Sequence, residues 1–247
     1  MKPGVPSLIH VVAGVVFDPE ERVLIAQRPA GKHLAGGWEF PGGKLKPGEE
    51  RQAGLARELL EEIGITIARP RPLMRIRHRY SYGDVLLDIW VVRSYSGQPQ
   101  GLDAQALRWC THEELATAEL LPADRPIVAA LRLPAILTRA STPDYRIGEI
   151  AAQRPDDSGD ARLNGVFCAD ADQAAAAAAA GADFLVMSAP LSDRDLAALC
   201  EWIPKPVFAT GIELNRAWAL GVSGLNQIDA SKGLGSDSWF CCGQAVF

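Results

Sequence analysis

Cysteine, histidine, positive charge and long apolar runs are all scarce in this 247-residue chain, and each scarcity removes a class of function. Its five cysteines, Cys110, Cys168, Cys200, Cys241 and Cys242, form no CxxC pair. An odd count with that spacing excludes a disulfide framework and a zinc ribbon, and fits reduced thiols in a cytoplasmic protein. His10, His78 and His112 have no metal-ligand spacing. Lysine and arginine number 25 against 30 acidic residues, a net charge of −5. That balance argues against a partner that is a nucleic-acid polymer, which selects a basic face. It leaves a small anionic substrate open, because a bound metal ion inverts the local field. The most apolar later stretch, Ala174 to Pro190, is broken by Asp183 and does not read as a membrane span. The N-terminal MKPGVPSLIHVVAGVVF lacks a signal-like cleavage region and reads as a buried strand. With 48% hydrophobic and 22% charged residues, the chain suits a soluble protein of two modest domains.

One segment dominates what is present: Gly43 to Ile65, reading GKLKPGEERQAGLARELLEEIGI. Glu58, Glu61 and Glu62 are spaced i, i+3, i+4, so on a helix they share one face and repel one another. Crowded carboxylates suit a site for Mg²⁺ or Mn²⁺, which take oxygen ligands. A solvated acidic helix explains the glutamates but not the glycines and arginine at their spacings. The segment resembles the Nudix box at every defining position: Gly43, Glu49, Arg57, Glu58, an apolar residue at 59, Glu61, Glu62, Gly64 and an apolar residue at 65.

That resemblance, to the Nudix hydrolases, implies an N-terminal α/β/α sandwich with a mixed sheet and hydrolysis of a phosphoanhydride. It implies that Glu58, Glu61 and Glu62 hold Mg²⁺ or Mn²⁺, with the Gly42 carbonyl as a further ligand. Arg57 orients a glutamate, most plausibly Glu49, and Glu58 is favoured as general base. Over residues 5 to 131 the chain is most similar to MutT-like nucleotide-pool sanitising enzymes. WEFPGGK (Trp38 to Lys44) resembles the strand and loop that lead into their box. Asp103 stands where they carry an extra metal-binding glutamate. Asp124 stands where an asparagine reads the purine edge; an ionised aspartate there only accepts hydrogen bonds. Arg28, His33, Glu39 and Phe40 fall where relatives contact the nucleotide. The implied reaction is 8-oxo-dGTP to 8-oxo-dGMP and pyrophosphate. Three alternatives stand beside it: a Nudix enzyme of other nucleotide specificity, a bifunctional enzyme, and a non-catalytic binding module.

Strands are expected at 9–17, 22–27, 73–82, 85–94 and 106–110, with helices to Ile63, at 111–118 and at 123–131. Ala56, Leu59, Leu60 and Ile63 are expected to form the buried stripe of the box helix, and Gly64 its C-cap. From residue 133 the texture changes. Tyr145 to Asp160 reads as a polar loop, and Ser231 to Phe247 has no periodicity. Between them, short apolar strands alternate with helices, which implies parallel βαβ units. AAAGADFLVMSAP, KPVFATGI and LGVSGLNQI resemble the last strands of thiamine phosphate synthase, a (β/α)₈ barrel. The expected division is 1–132 for the Nudix domain and 133–247 for a truncated, partial (β/α) barrel-like domain. The early strands and the loop expected after Ser188-Ala189-Pro190 are missing from the resemblance, so no thiamine phosphate synthesis is expected. The open edges of a half barrel are expected to pair with a second copy of the chain.

Overall fold

The computed structural model describes residues 8–31, 33–81, 83–137, 145–148 and 162–228. Cys241, Cys242, the segment Ser231 to Phe247 and most of the expected polar loop lie outside the described residues. The chain forms two compact units, Met1–Val128 and Ala129–Phe247.

The first unit contains β1 (Ile9–Val16), β2 (Val23–Gln27), β3 (Trp38–Glu39), β4 (Gly42–Lys44), helix α1 (Arg51–Ile63), β5 (Thr66–Ala68), β6 (Arg71–Tyr80), β7 (Gly83–Val92), β8 (Ser94–Ser96), β9 (Leu107–Cys110) and α2 (His112–Thr117). Helix α3 (Arg125–Leu131) follows. The main sheet is mixed, in the order β4-β1-β7-β6, with β1 parallel to β7 and the other pairs antiparallel. A second sheet, β3-β2-β9, is antiparallel, and β5 pairs with β8.

The two-residue period of β1 divides its side chains between two jobs. Val12 and Val16 enter the core with Leu55, Leu59 and Ile63 of α1. Ile9, Val11 and Ala13 point the other way and line a cavity. The expected helix stripe needs correction: Leu55, Leu59 and Ile63 are the buried row, whereas Leu60 is 51% exposed. Residues 55, 59 and 63 repeat every fourth position and lie along one line against the sheet. Leu60 sits about 100° further round. Gly64 ends the helix at φ 73°, and Ile65 and Gly64 return N–H bonds to Leu59 and Leu60, a cap that needs the left-handed backbone.

The second unit contains β10 (Ile136–Leu137), β11 (Tyr145–Gly148), β12 (Leu163–Cys168), α4 (Ala171–Ala179), β13 (Phe184–Met187), α5 (Asp193–Trp202), β14 (Val207–Ala209), α6 (Leu214–Leu220) and β15 (Gly224–Asn226). All pairings are parallel, in the order β10-β15-β14-β13-β12-β11. The first strand therefore pairs with the last, and β10 and β11, neighbours in sequence, lie at opposite edges: a partial (β/α) barrel. Both faces of the sheet are apolar, as βα crossovers require. Leu185 and Met187 pack with the helices, whereas Phe184 and Val186 face Tyr145 and Phe208. Tyr145–Gly148 is a strand rather than the start of a loop. Only two of its residues, Tyr145 and Ile147, are apolar and buried, too few to register as a period. Among the described residues no helix is long and apolar enough to cross a membrane.

Candidate active site

A cavity of about 730 Å³ opens in the first unit, floored by Ile9, Val11 and Ala13 of β1 and by Val85 and Leu87 of β7. The strand register explains the floor, since Ile9 lies opposite Val85 and Val11 opposite Leu87. Ten of the twelve site residues expected from sequence line this cavity. Gly42, Glu58, Glu61, Glu62 and Asp103 gather at one end, through β4 and α1; Arg28, His33, Glu39, Phe40 and Asp124 belong to the nucleotide-facing set. Arg57 and Glu49 stand behind the carboxylates rather than in the lining.

Arg57 organises the carboxylate end. Its Nε and Nη2 donate to the two oxygens of Glu49 at 2.7 and 2.8 Å. Nη1 donates to Glu58 at 2.7 Å and to Glu61 at 3.0 Å, and Nη2 also reaches the Lys44 carbonyl at 3.2 Å. Only a guanidinium supplies that many directed donors from one plane. The Arg57 hydrogen bonds hold the Glu49 carboxyl down to about 2. Glu62 accepts the Gly42 N–H at 2.8 Å. Gly43 is pressed against Glu58, where a Cβ would stand 2.1 Å from a carboxylate oxygen. Glycine at that box position is a matter of space.

Sequence reasoning missed two residues. Gln105 is buried and bridges the Asp103 loop to the helix: its Oε1 accepts the Asp103 N–H at 2.8 Å, and its Nε2 donates to the Glu62 carbonyl at 3.0 Å. Tyr80 lines the cavity, with His78 4.4 Å and His33 6.1 Å from its ring centre. The alternation of β6 was the available signal, since Tyr80 falls on the face of Met74 and Ile76. Burial lowers the pKa of His78, so its ring is more readily neutral.

Asp124 is brought in by backbone stitching. The Trp38 N–H donates to Glu119 O at 3.0 Å, and the Leu121 N–H to Trp38 O at 2.9 Å. The Asp124 N–H then closes a turn on Leu121 O at 2.9 Å. The strand that carries Glu39 is thereby fixed beside the turn that carries Asp124. Arg28 Nη1 pairs with Glu39. Burial, then repulsion from Glu39, pushes the Asp124 carboxyl well above the usual range, partly offset by Arg28.

The donor set fits a hard divalent cation. Three glutamates and an aspartate line one end of the cavity, next to a glycine turn. As the side chains stand, Arg57 and the Gly42 N–H engage the glutamates, and among the described residues no preassembled cluster of three acidic, histidine or cysteine ligands is present.

A family model described as NUDIX domain matches residues 12–130. CTP pyrophosphohydrolase of Escherichia coli is 38% identical over 124 residues, which are 50% of this chain and 91% of that protein. 8-oxo-dGTP diphosphatase of Proteus vulgaris is 39% identical over 90 residues, 36% of this chain and 80% of that protein. The solution structure of the E. coli ORF135 protein is 38% identical, with a TM-score of 0.46, covering 51% of this chain and 89% of that one. Nudix hydrolases as a group use a divalent metal ion. With an intact box on α1 and relatives that match most of their own length, the chain belongs to the Nudix hydrolases, and its first unit is a phosphoanhydride hydrolase.

Proposed function

We propose that this protein hydrolyses a nucleoside triphosphate to the monophosphate and pyrophosphate, with 8-oxo-dGTP as the favoured substrate. The observation that carries the reading is one cavity lined at once by the box carboxylates and by Arg28, Phe40 and Asp124. In the reaction, water adds to a phosphorus of the α–β bridge, the bridging P–O bond breaks, and the water loses a proton. Glu58, Glu61, Glu62, the Gly42 carbonyl and Asp103 would hold Mg²⁺ or Mn²⁺. When bound, the ion neutralises phosphate charge and lowers the pKa of water. Glu58 is the proposed acceptor of the water proton. Arg57 holds Glu58 and Glu61 in place and is itself held by Glu49. Phe40 and Tyr80 offer aromatic faces to a base, and Arg28 and His33 offer donors to its sugar or phosphates.

The identity to a CTP pyrophosphohydrolase supports a second reading, a cytosine nucleotide in the same pocket. Pyrophosphate release by wild type and Glu62→Gln, with 8-oxo-dGTP, dGTP, dATP, CTP and ADP-ribose and either ion, separates the two. Preference for 8-oxo-dGTP, lost in the variant, supports the first; preference for CTP supports the second. Inertness across the panel with both ions overturns both. For residues 133–247 we propose a truncated relative of thiamine phosphate synthase without that activity, one that associates with a second copy. Thiamine phosphate formation by the full chain would refute the first part, and a monomeric mass in solution the second.

A further inference from the structure

Asp124 is the polar group of the cavity with least support. It is only 5% exposed. Its backbone is satisfied, N–H on Leu121 and C=O by the Ile127 N–H. Among the described residues, none donates a hydrogen bond to its carboxyl. The charged groups that bear on it come from two other elements. Glu39 of β3 repels a negative charge there, and Arg28, beyond β2, attracts one but is already paired with Glu39. His33 and Tyr80 are the other titratable groups of the nucleotide-facing lining, with the glutamates of α1 at the metal end.

A buried carboxylate with no donor and an acidic neighbour is an expensive species, and a carboxylic acid is not. We propose that Asp124 stands in the cavity as a carboxylic acid, and that its O–H and C=O together read a base edge carrying one acceptor beside one donor. The inference rests on the nucleotide reading of the cavity and narrows it. An ionised aspartate would only accept, and would select an edge with two donors. The acid instead gives one proton and takes one, as an amide does. 8-Oxoguanine offers O6 beside N7–H, and cytosine offers N3 beside its amino group. Plain guanine offers two acceptors, O6 and N7, on the corresponding edge, which leaves the Asp124 carbonyl facing a lone pair. The preferred substrates are therefore oxidised guanine or cytosine nucleotides over dGTP, and that preference is lost when Asp124 ionises.

Two measurements on the full chain test this. The first is a carboxyl-carbon NMR titration of ¹³C-labelled protein, with the Asp124 signal assigned by comparison with Asp124→Asn. A protonated-acid shift near neutral pH, moving to the carboxylate shift only at higher pH, is expected; a carboxylate shift near neutral pH overturns the proposal. The second is the pH profile of kcat/KM with Mg²⁺, for 8-oxo-dGTP and CTP. The wild type is expected to fall about tenfold per pH unit above the Asp124 transition. Asp124→Asn, whose amide cannot ionise, is expected to lack that fall. Equal falls in both proteins overturn the proposal. If no nucleotide is hydrolysed at all, the nucleotide reading fails, and the NMR titration still decides the state of Asp124.

Discussion

Glu49 and Asp124 are both carboxyls of one site, and their surroundings drive them in opposite directions. Glu49 receives two donors from Arg57 and one from the Lys46 N–H, and is held at about 2. Asp124 receives none, faces Glu39, and is pushed up. Burial alone does not make the difference. Asp84 is 3% exposed, more enclosed than Asp124, yet Arg79 and Arg77 hold it at about 2. The supply of donors decides the charge state. The metal end is thus built to keep carboxylates ionised, and the other end to keep one protonated.

The hardest blow to the ionised end is the loss of a carboxylate. Glu58→Gln is expected to lower kcat/KM about 100-fold or more, the scale of removing one group that stabilises developing charge. A fall of less than about threefold would show that Glu58 takes no part. Arg57→Lys keeps the charge and loses the fork. Since Arg57 acts through Glu49, Glu58 and Glu61, it should weaken Mn²⁺ binding about 10- to 100-fold, as measured by titration calorimetry. An unchanged affinity would make the network merely structural.

Two smaller effects read the same contrast as stability. The folded-state pKa of Asp124 is raised, so folding carries no penalty from it below the unfolded value of 3.8 and loses stability as the pH climbs toward the folded value. Asp124→Asn should therefore raise Tm, and more at alkaline than at acidic pH. Each kcal/mol recovered is worth about 4 °C for a unit of this size. A gain equal at all pH values would sever the link to ionisation. Glu49 has the reverse sign. Its stabilisation is complete above the ordinary value of 4.5 and is lost as the pH falls through about 2. Glu49→Gln should flatten that acid limb in urea midpoints, whereas an unchanged limb would assign it to other carboxylates such as Asp84.

The box was legible because its chemistry is local: three glutamates on one helix face, a glycine where Glu58 presses, and an arginine within reach. The strands β13, α5 and α6 could be read from short apolar or amphipathic periods with clear stops. What escaped was set by distant neighbours. Leu60 and Leu55 exchange places because the sheet chooses which row of α1 to cover. Tyr80 and Gln105 matter only once a cavity and Glu62 are beside them. The strands β3, β4, β5 and β8 span two or three residues each, shorter than any pattern. The state of Asp124 depends on Glu39, and residue type alone suggested an ionised acceptor.

The pairing of Ile136 with Leu225 sets a timetable for synthesis. The first unit has all its strands when β10 leaves the ribosome, but β10 must wait about ninety residues for its partner. At ordinary elongation rates that is roughly 5 to 20 s with an edge strand unpaired. A chain terminated before Gly224 would carry a finished hydrolase unit joined to a permanently open edge. Nonsense truncations in this region should therefore appear in cells as insoluble protein rather than as a smaller working enzyme.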